Sequence, residues 1–338
     1  MATENRVLIA NRGEIAIRVA RAASALDMES VAVFAPADAL ALHVRAATTA
    51  VPIGASAAAS ADPVAAYLDV SDVIAAAVDT GCHFLHPGYG FLSESPALAE
   101  ACAAAGITFV GPSAGALRLF GDKVQARALA QSIGIPVLPG STEPLGSVAA
   151  AAAFADRLGY PIMLKAAAGG GGRGMRSLSR PDEMAEAFER CRSEAQAAFG
   201  DGSVFMEKLV ARPRHIEVQV LADSRGAIVH LHDRDCSVQL RNQKVVEIAP
   251  APNLDSGLRA QMYSDAVSLV RAVGYNGAGT VEFLVVPESN AYFFIEHARR
   301  RLHAHFREMA APQVSWQPPP KPIEPPISDP AEYYALVK

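Results

Sequence analysis

A run of glycines in the middle of the chain is the strongest sign of chemistry in the sequence. The run consists of Gly169, Gly170, Gly171 and Gly172. It lies between two predicted antiparallel strands, and glycines let backbone N–H groups approach phosphate oxygens closely, so the loop can fold over a triphosphate. The spacing also satisfies a dinucleotide-binding loop, but that loop leads into a helix. A hairpin tip that binds nothing is the alternative.

Two lysines could bring positive charge to the same ligand. Lys165 lies four residues before the glycines, at the end of a predicted strand, and Lys123 lies in another predicted wall of the same cleft. Ammonium groups there would reach the phosphates that the loop covers. Each lysine taken by itself could equally be a solvated surface charge.

Two glutamates occur in segments that otherwise have the composition of buried strands. Glu282 lies in GTVEFLV and Glu296 lies in AYFFIE. An unpaired carboxylate is costly to bury, and two such acids on neighbouring strands can share Mg²⁺ ions that also bridge ATP phosphates. The alternative is that each acid pairs with an arginine or faces solvent at a strand edge.

Two further segments are rich in polar groups. HPGYGFLSE (86–94) follows a predicted strand, and its small residues permit close backbone approach to a ligand, although a tight turn is the alternative. RDCSVQLRNQK (234–244) concentrates donors and charges beside β-rich sequence. That density suits an anion site or a solvated loop.

The elements that must position these residues fall into two units. From Val7 to Phe120, short apolar runs alternate with amphipathic stretches, which predicts an α/β domain with a doubly wound sheet. The following β-rich segments are antiparallel in pattern and predict an α+β unit around the site. Prolines recur from Pro312 to Pro330, so this tail can bury little and is expected to be disordered.

Composition and charge exclude several classes of protein. The 338 residues are 51% hydrophobic and 19% charged, and no apolar run approaches the roughly 18 residues of a membrane span. A formal net charge of −5 argues against a nucleic-acid partner. The start MATENRVLIANRGE does not resemble a secretory signal, so a cytoplasmic location is expected.

The cysteines have neither zinc-ligand nor disulfide-scaffold spacing, because they stand far apart without a CxxC pair. They are Cys82, Cys102, Cys191 and Cys236. Free cysteines are commonly buried, so we expect ordinary buried thiols.

Nine segments, in order between residues 5 and 296, resemble the biotin carboxylase family, which includes the biotin carboxylase parts of acetyl-CoA, propionyl-CoA and pyruvate carboxylases. They are LIANRGEIA (8–16), HPGYGFLSE (86–94), FVGPS (109–113), GDK (121–123), IMLKAAAGGGGRGM (162–175), MEKL (206–209), PRHIEVQVLAD (213–223), RDCSVQLRNQKVVE (234–247) and GAGTVEFL (277–284). The resemblance identifies 1–118 as a Rossmann-like N-terminal domain. It identifies 119–305 as an incomplete ATP-grasp domain with a lid at about 136–208, and it leaves 306–338 as the Pro-rich tail.

The resemblance implies an ATP-dependent ligase. Such enzymes use MgATP and bicarbonate to form carboxyphosphate and then carboxylate N1 of biotin held on a carrier protein. The implied cofactors are ATP and Mg²⁺ or Mn²⁺, and biotin is the carrier-bound substrate. In phosphoryl transfer, positioning and charge neutralisation account for most of the acceleration.

The resemblance also implies roles for individual residues. The nucleotide contacts would be Lys123, Lys165, Gly169, Gly170, Gly171, Gly172, Met175, Glu207, Lys208, Leu209, His215, Gln239 and Leu284. The metal ligands would be Glu282 and Glu296, and Lys244 would be a catalytic cation on the bicarbonate side. Arg300 falls, by count alone, at the position of an arginine that holds bicarbonate.

The chain departs from the family after Glu296. The family continues E-x-N-x-R-x-Q-V-E-H, whereas Ala298, Leu302 and Ala304 stand at the positions of the Asn, the Gln and the Glu that deprotonates bicarbonate. Loss of a general base commonly costs about two to four powers of ten in rate, so we expect impaired carboxylation. The Arg/His/Ala/Pro-rich continuation, without the family's C-terminal subdomain, predicts a truncation or frameshift just after Glu296.

Smaller departures are Ala168 for the first glycine of the loop and Asn242 for the usual His. The implied partners are bicarbonate, a biotin carboxyl carrier protein or domain, a carboxyltransferase and a second copy in a homodimer. The sequence does not reveal the final acyl acceptor. Two alternatives to the carboxylase remain, a non-catalytic nucleotide-binding remnant and another ATP-grasp ligase of the carbamoyl-phosphate or purine type.

Overall fold

Parallel and antiparallel sheets occupy successive parts of the chain. A computed structural model describes residues 5–54, 63–166, 174–240 and 243–298, and within these ranges the strands form one parallel and two antiparallel sheets. The expected combination of α/β and α+β architecture is therefore confirmed. The Pro-rich tail lies outside the described residues.

The first sheet is parallel and has helices on both faces. Its strands are β1 (Arg6–Ile9), β2 (Glu29–Phe34), β3 (Thr49–Pro52), β4 (Phe84–His86) and β5 (Thr108–Phe109), in the order β3-β2-β1-β4-β5. Val7 and Ile9 pack with Ile15 of the first helix, whereas Leu8 between them packs with Val73 and other residues on the opposite face. Alternate side chains thus enter two cores, and the doubly wound arrangement is confirmed.

The helices of this part follow the strands in sequence. They are α1 (Gly13–Ser24), α2 (Leu42–Ala46), α3 (Pro63–Ala66), α4 (Val70–Asp79) and α5 (Pro96–Ala104), with a 3₁₀ turn at Pro36–Asp38. In the ranges that the structure describes, every helix is too short or too polar to cross a bilayer.

The loop after β4 is shaped by the buried side chain of Asn11, which lies two residues after β1. The amide nitrogen Nδ2 of Asn11 donates to the carbonyls of Pro87 at 2.8 Å and Tyr89 at 2.9 Å. Gly88 has a φ of +66°, and a Cβ there would lie 2.7 Å from that same nitrogen. The small residue at this position is therefore required by the fold itself, as a tight turn around Asn11.

The small sheet, made of β6 (Ile162–Ala166), β7 (Met175–Leu178) and β8 (Val204–Lys208), is antiparallel with the order β7-β6-β8. Two helices, α8 (Val148–Leu158) and α9 (Met184–Phe199), form a core with one of its faces. A 3₁₀ turn at Pro181–Glu183 precedes α9. The other face carries half-buried residues, which include Lys165 and Glu207.

The large sheet is also antiparallel. Its strands are β9 (Arg214–Ala222), β10 (Ile228–Leu240), β11 (Gln243–Ile248), β12 (Gly277–Val286) and β13 (Ala291–Ala298), in the order β11-β10-β9-β12-β13. Alternate residues such as Ile216 and Phe283 pack against three helices. These helices are α6 (Ala114–Gly121), α7 (Lys123–Ser132) and α10 (Ser256–Ala272). The opposite face is left for polar side chains.

A connecting segment, residues 136–141, pairs with both antiparallel sheets. Val137 bridges to Phe294 of β13, and Gly140 bridges to Glu207 of β8. Backbone hydrogen bonds accompany both bridges. The position of the small sheet is therefore tied to the edge of the large sheet through a few residues.

All four thiols are free and buried, as the sequence predicted. Burial raises the pKa of Cys102 and of Cys191 to about 11. Burial also raises the pKa of Cys82, and burial with the Glu217 carboxylate raises that of Cys236. Since the thiolate is the reactive species, these groups are inert in the folded protein.

Thiol titration tests this description of the core. In the folded chain at pH 8, we expect an aromatic disulfide reagent to react with fewer than one thiol per chain within minutes, because access and ionisation are both suppressed. In urea all four cysteines should react. Rapid reaction of two or more thiols without denaturant would contradict the buried placement.

Candidate functional site

A row of charged residues crosses the large sheet. The register places Arg234 of β10 opposite Glu217 of β9 and places Glu217 opposite Glu282 of β12. It also places Glu296 of β13 opposite Glu282. Residues directly opposite each other share one face of a sheet, so these four positions lie on the polar face. For Glu296 the structure describes the backbone alone.

Lys244 of β11 is a cation shared by two of these acids. Its Nζ donates to Glu217 Oε2 at 2.6 Å and to Glu282 Oε1 at 2.9 Å. Arg234 Nε donates to the other oxygen of Glu217 at 2.7 Å. The side chain of Glu217 has no exposed surface, and that of Lys244 is 7% exposed. Ions so far from water are tolerated only when they are paired and hydrogen-bonded.

The pKa values follow from this pairing. Burial would raise the pKa of Glu217, but Lys244 and Arg234 hold it below its usual value. Burial also opposes ionisation of Glu282, yet the hydrogen bond from His215 and the charge of Lys244 lower its pKa to about 2. Burial would lower the pKa of Lys244, but the two acids raise it. At neutral pH all three groups are therefore charged.

His215 and Gln239 orient Glu282 from the other side. The amide nitrogen of Gln239 lies 2.8 Å from Nδ1 of His215, and Nε2 of His215 lies 2.7 Å from Glu282 Oε2. An amide N–H can only donate, so Nδ1 accepts and Nε2 donates its hydrogen to the carboxylate. Gln239 is itself fixed by the carbonyl of Cys236 at 2.9 Å. The structure thus brings together four residues that the resemblance had assigned to the site.

A second charged cluster lies on the polar face of the small sheet. Lys165 of β6 and Arg127 of α7 donate to different oxygens of Glu207 on β8, with Arg127 Nη1 at 3.0 Å. Burial would raise the pKa of Glu207, but Lys165, Arg127 and Lys123 lower it. Positive charge from one strand and one helix is therefore gathered around one carboxylate.

Other residues of the implied nucleotide site lie along the same strands. Met175 of β7 is opposite Lys165 in the register. Lys208 directs Nζ to the carbonyls of Gly159 at 3.0 Å and Tyr160 at 3.1 Å, so this ammonium group caps the chain after α8. The side chain of Lys208 thus serves the small sheet's own structure.

Further residues of the implied site are partly described. Leu209 and Leu284 are half-buried, and Leu284 lies opposite His215 in the register. The glycines Gly169–Gly172 and Arg300 lie outside the described residues. Their roles stay predictions.

Two site residues were missed by the sequence reasoning. Glu217 sits in the apolar strand HIEVQVLA, and an acid in an apolar strand is the signal that identified Glu282. The same signal could therefore have found Glu217. Arg127 occurs in a helix whose sequence gives no sign of a distant carboxylate partner. The segment 234–244, expected to suit an anion site or a solvated loop, instead supplies donors to carboxylates within the protein.

The donor set around Glu282 fits a magnesium ion. Each carboxylate oxygen of Glu282 accepts one hydrogen bond and keeps a second lone pair, and Glu296 occupies the opposite backbone position. Hard divalent cations prefer such oxygen ligands. When bound, Mg²⁺ would neutralise phosphate charge at this edge of the sheet.

A different group of potential ligands does not fit a metal. Glu217, Cys236 and Glu247 have ligand atoms within 4.8 Å of one another. However, Lys244 and Arg234 already neutralise Glu217, and the pKa of the Cys236 thiol is raised by its burial. Because the thiolate and not the thiol is the metal ligand, this group offers fewer than three ligands.

Two family models match successive parts of the chain. The model described as "Biotin carboxylase, N-terminal domain" matches residues 3–117. The model described as "Carbamoyl-phosphate synthase L chain, ATP binding domain" matches residues 122–306. The two matched regions correspond to the parallel sheet and to the two antiparallel sheets.

Relatives and solved structures agree with these matches. Pyruvate carboxylase 1 of Caenorhabditis elegans is 52% identical over 295 residues, which are 87% of this chain and 25% of the relative. A biotin carboxylase–β,γ-ATP complex from Campylobacter jejuni has 43% identity and a TM-score of 0.83, covering 88% of this chain and 66% of that one. The biotin carboxylase domain dimer of Hydrogenobacter thermophilus 2-oxoglutarate carboxylase, in complex with MgADP, ADP and bicarbonate, has 41% identity and a TM-score of 0.83, covering 88% and 64%. The chain spans about a quarter of the length of the curated relatives it matches.

Removal of Lys244 tests how much the buried ion pairs of the large sheet contribute to stability. Lys244→Met should lower the free energy of unfolding by about 3 kcal/mol at pH 7, because two buried carboxylates lose their common partner. Urea denaturation measures this loss. Glu217→Gln in the Lys244→Met background should recover part of it, since one uncompensated charge is removed. A double variant less stable than the single variant would contradict the proposed charge balance.

Proposed function

The chain belongs to the biotin carboxylase family, and we propose that it binds MgATP between its two antiparallel sheets for the bicarbonate-dependent carboxylation of carrier-bound biotin. The observation that carries this proposal is the pair of charged clusters, one on each sheet, made by Lys165 with Glu207 and by Lys244 with Glu282. Phosphoryl transfer needs cations at the phosphates and oxygen ligands for metal. Each sheet supplies a part of that set.

The residues have distinct proposed roles. The phosphates would be bound by Lys165, Lys123 and the loop Gly169–Gly172. Other parts of the nucleotide would contact the segment Glu207–Leu209. Glu282 and Glu296 would hold the metal ion. Lys244 would be the bicarbonate-side cation, and its position supports this role because its Nζ lies 2.9 Å from Glu282, a proposed metal ligand.

The catalytic end departs from the family in ways that limit the proposed reaction. Ala298, Leu302 and Ala304 cannot replace an amide or a carboxylate, because an alanine or leucine side chain neither accepts a proton nor binds a metal. Bicarbonate would have to lose its proton to solvent rather than to a positioned base. We therefore propose nucleotide binding with slow or absent carboxylation, and a nucleotide-binding remnant is the second candidate that these substitutions favour.

The partners and the domain boundaries of the chain are also part of the proposal. A biotin carboxyl carrier, a carboxyltransferase and a second copy of the chain are the partners that family membership supports. The boundary between residues 118 and 119 and the lid at 136–208 also belong to this proposal. The cytoplasmic location stays a prediction.

Calorimetric titration with MgATP tests the proposed function. We expect saturable binding to the chain, and we expect at least tenfold weaker binding to Lys165→Ala and Glu282→Gln because each loses a phosphate or metal partner. Arg190→Ala is the matched control, since Arg190 forms an exposed ion pair with Glu186 on the outer helix α9. Its affinity should equal that of the parent.

Bicarbonate-dependent release of ADP in the same samples separates the two candidates. ADP release that requires bicarbonate and rises with biotin supports the carboxylase. Saturable MgATP binding without ADP release supports the nucleotide-binding remnant. Absence of MgATP binding by a folded parent chain would refute both.

A further inference from the structure

Arg127 occupies the junction between the two antiparallel sheets. From α7, its Nη2 donates to the carbonyl of Leu138 at 2.6 Å, and its Nη1 donates to Glu207 at 3.0 Å. Leu138 belongs to the connecting segment, and Glu207 lies on the small sheet. The guanidinium group thus joins a helix of the large sheet's core to the strand that carries the second charged cluster.

The backbone at this junction is closely packed. A Cβ on Gly140 would lie 2.5 Å from the carbonyl oxygen of Met206 and 3.0 Å from Nη1 of Arg127. The connecting segment therefore approaches β8 as closely as a glycine allows. The side chain of Arg127 is 17% exposed and that of Glu207 is 12% exposed, so water can replace little of their interaction.

Glu207 pairs with two cations, Lys165 and Arg127, and Lys165 is also proposed to bind the phosphates of MgATP. Lys165 donates to Oε2 of Glu207, whereas Arg127 donates to Oε1. If Lys165 turns to the phosphates of MgATP, the carboxylate loses one of its partners while it stays largely buried. Burial of a carboxylate without a cation is costly. Glu207 therefore needs a second cation that stays paired with it when Lys165 leaves.

We propose that Arg127 is a positioning residue that keeps Glu207 ionised and fixed while Lys165 binds the phosphates of MgATP. This inference rests on the proposed function, because it requires that Lys165 contact the nucleotide. Arg127 itself stays bonded to Leu138 and touches no nucleotide. Its effect is to set how readily Lys165 leaves Glu207.

A double-mutant cycle of Arg127→Met and Glu207→Gln distinguishes this role from simple packing. In Arg127→Met, Lys165 is the remaining hydrogen-bonded cation of Glu207, so MgATP affinity measured by calorimetry should fall about tenfold. In the Glu207→Gln background the carboxylate charge is gone and Lys165 is already released, so adding Arg127→Met should change affinity by less than about threefold. Arg118→Met is the matched control, since Arg118 pairs with Glu100 at an exposed site and its loss should leave affinity unchanged.

The results distinguish a failure of the role proposed for Arg127 from a failure of the proposed MgATP binding. No MgATP binding by the folded parent would overturn the proposed function. If the parent binds MgATP, an Arg127→Met affinity equal to the parent's would overturn the role of Arg127. A loss from Arg127→Met that is equally large in the Glu207→Gln background would show a purely structural contribution and would also overturn it. If Arg127→Met fails to fold, the double variant decides by whether it binds like Glu207→Gln.

Discussion

Burial of carboxylates in the second half of the chain requires cations at fixed positions, and the arrangement of both antiparallel sheets follows from that requirement. Glu217 has no exposed surface and Glu282 is nearly buried. Lys244 lies between them and, together with Arg234 and His215, keeps both carboxylates ionised side by side. Lys244 comes from β11, which lies beyond β10 from the acids, so its contact with them depends on the strand order and register of the sheet. In the small sheet, Glu207 is paired in the same way with Lys165 and Arg127.

Alternation along the strands is what makes such pairing possible. In β9, Ile216 and Val218 enter the core while His215 and Glu217 face the site, and β12 divides its residues in the same way. A shift of one residue in register would move the acids into the hydrophobic core. The apolar face therefore stabilises the fold and at the same time positions the charged face. Family membership is consistent with this, since the same sheets occur in the biotin carboxylase structures that the chain resembles.

Local patterns in the sequence predicted the elements and several site residues, but not their partners. Short apolar runs and β-rich segments predicted the strands, and acids inside apolar runs marked Glu282 and Glu296 as candidate metal ligands. Arg127 could not be found in this way, because its partner Glu207 is distant in sequence and helix α7 has an ordinary amphipathic pattern. The role of Gly88 was also ambiguous, since close approach to a ligand and close approach to Asn11 select the same residue. Sequence spacing reports which groups are unusual, whereas the fold decides which groups meet.

The central claim is that MgATP binds between the two antiparallel sheets, and amide hydrogen exchange with and without MgATP tests it most directly. Binding should slow exchange in β6, β8, β12 and the connecting segment, because these elements carry the proposed contacts and the junction that joins them. The parallel-sheet strands β2 and β3 should be unchanged. Protection confined to the parallel sheet, or equal protection everywhere, would contradict the claim.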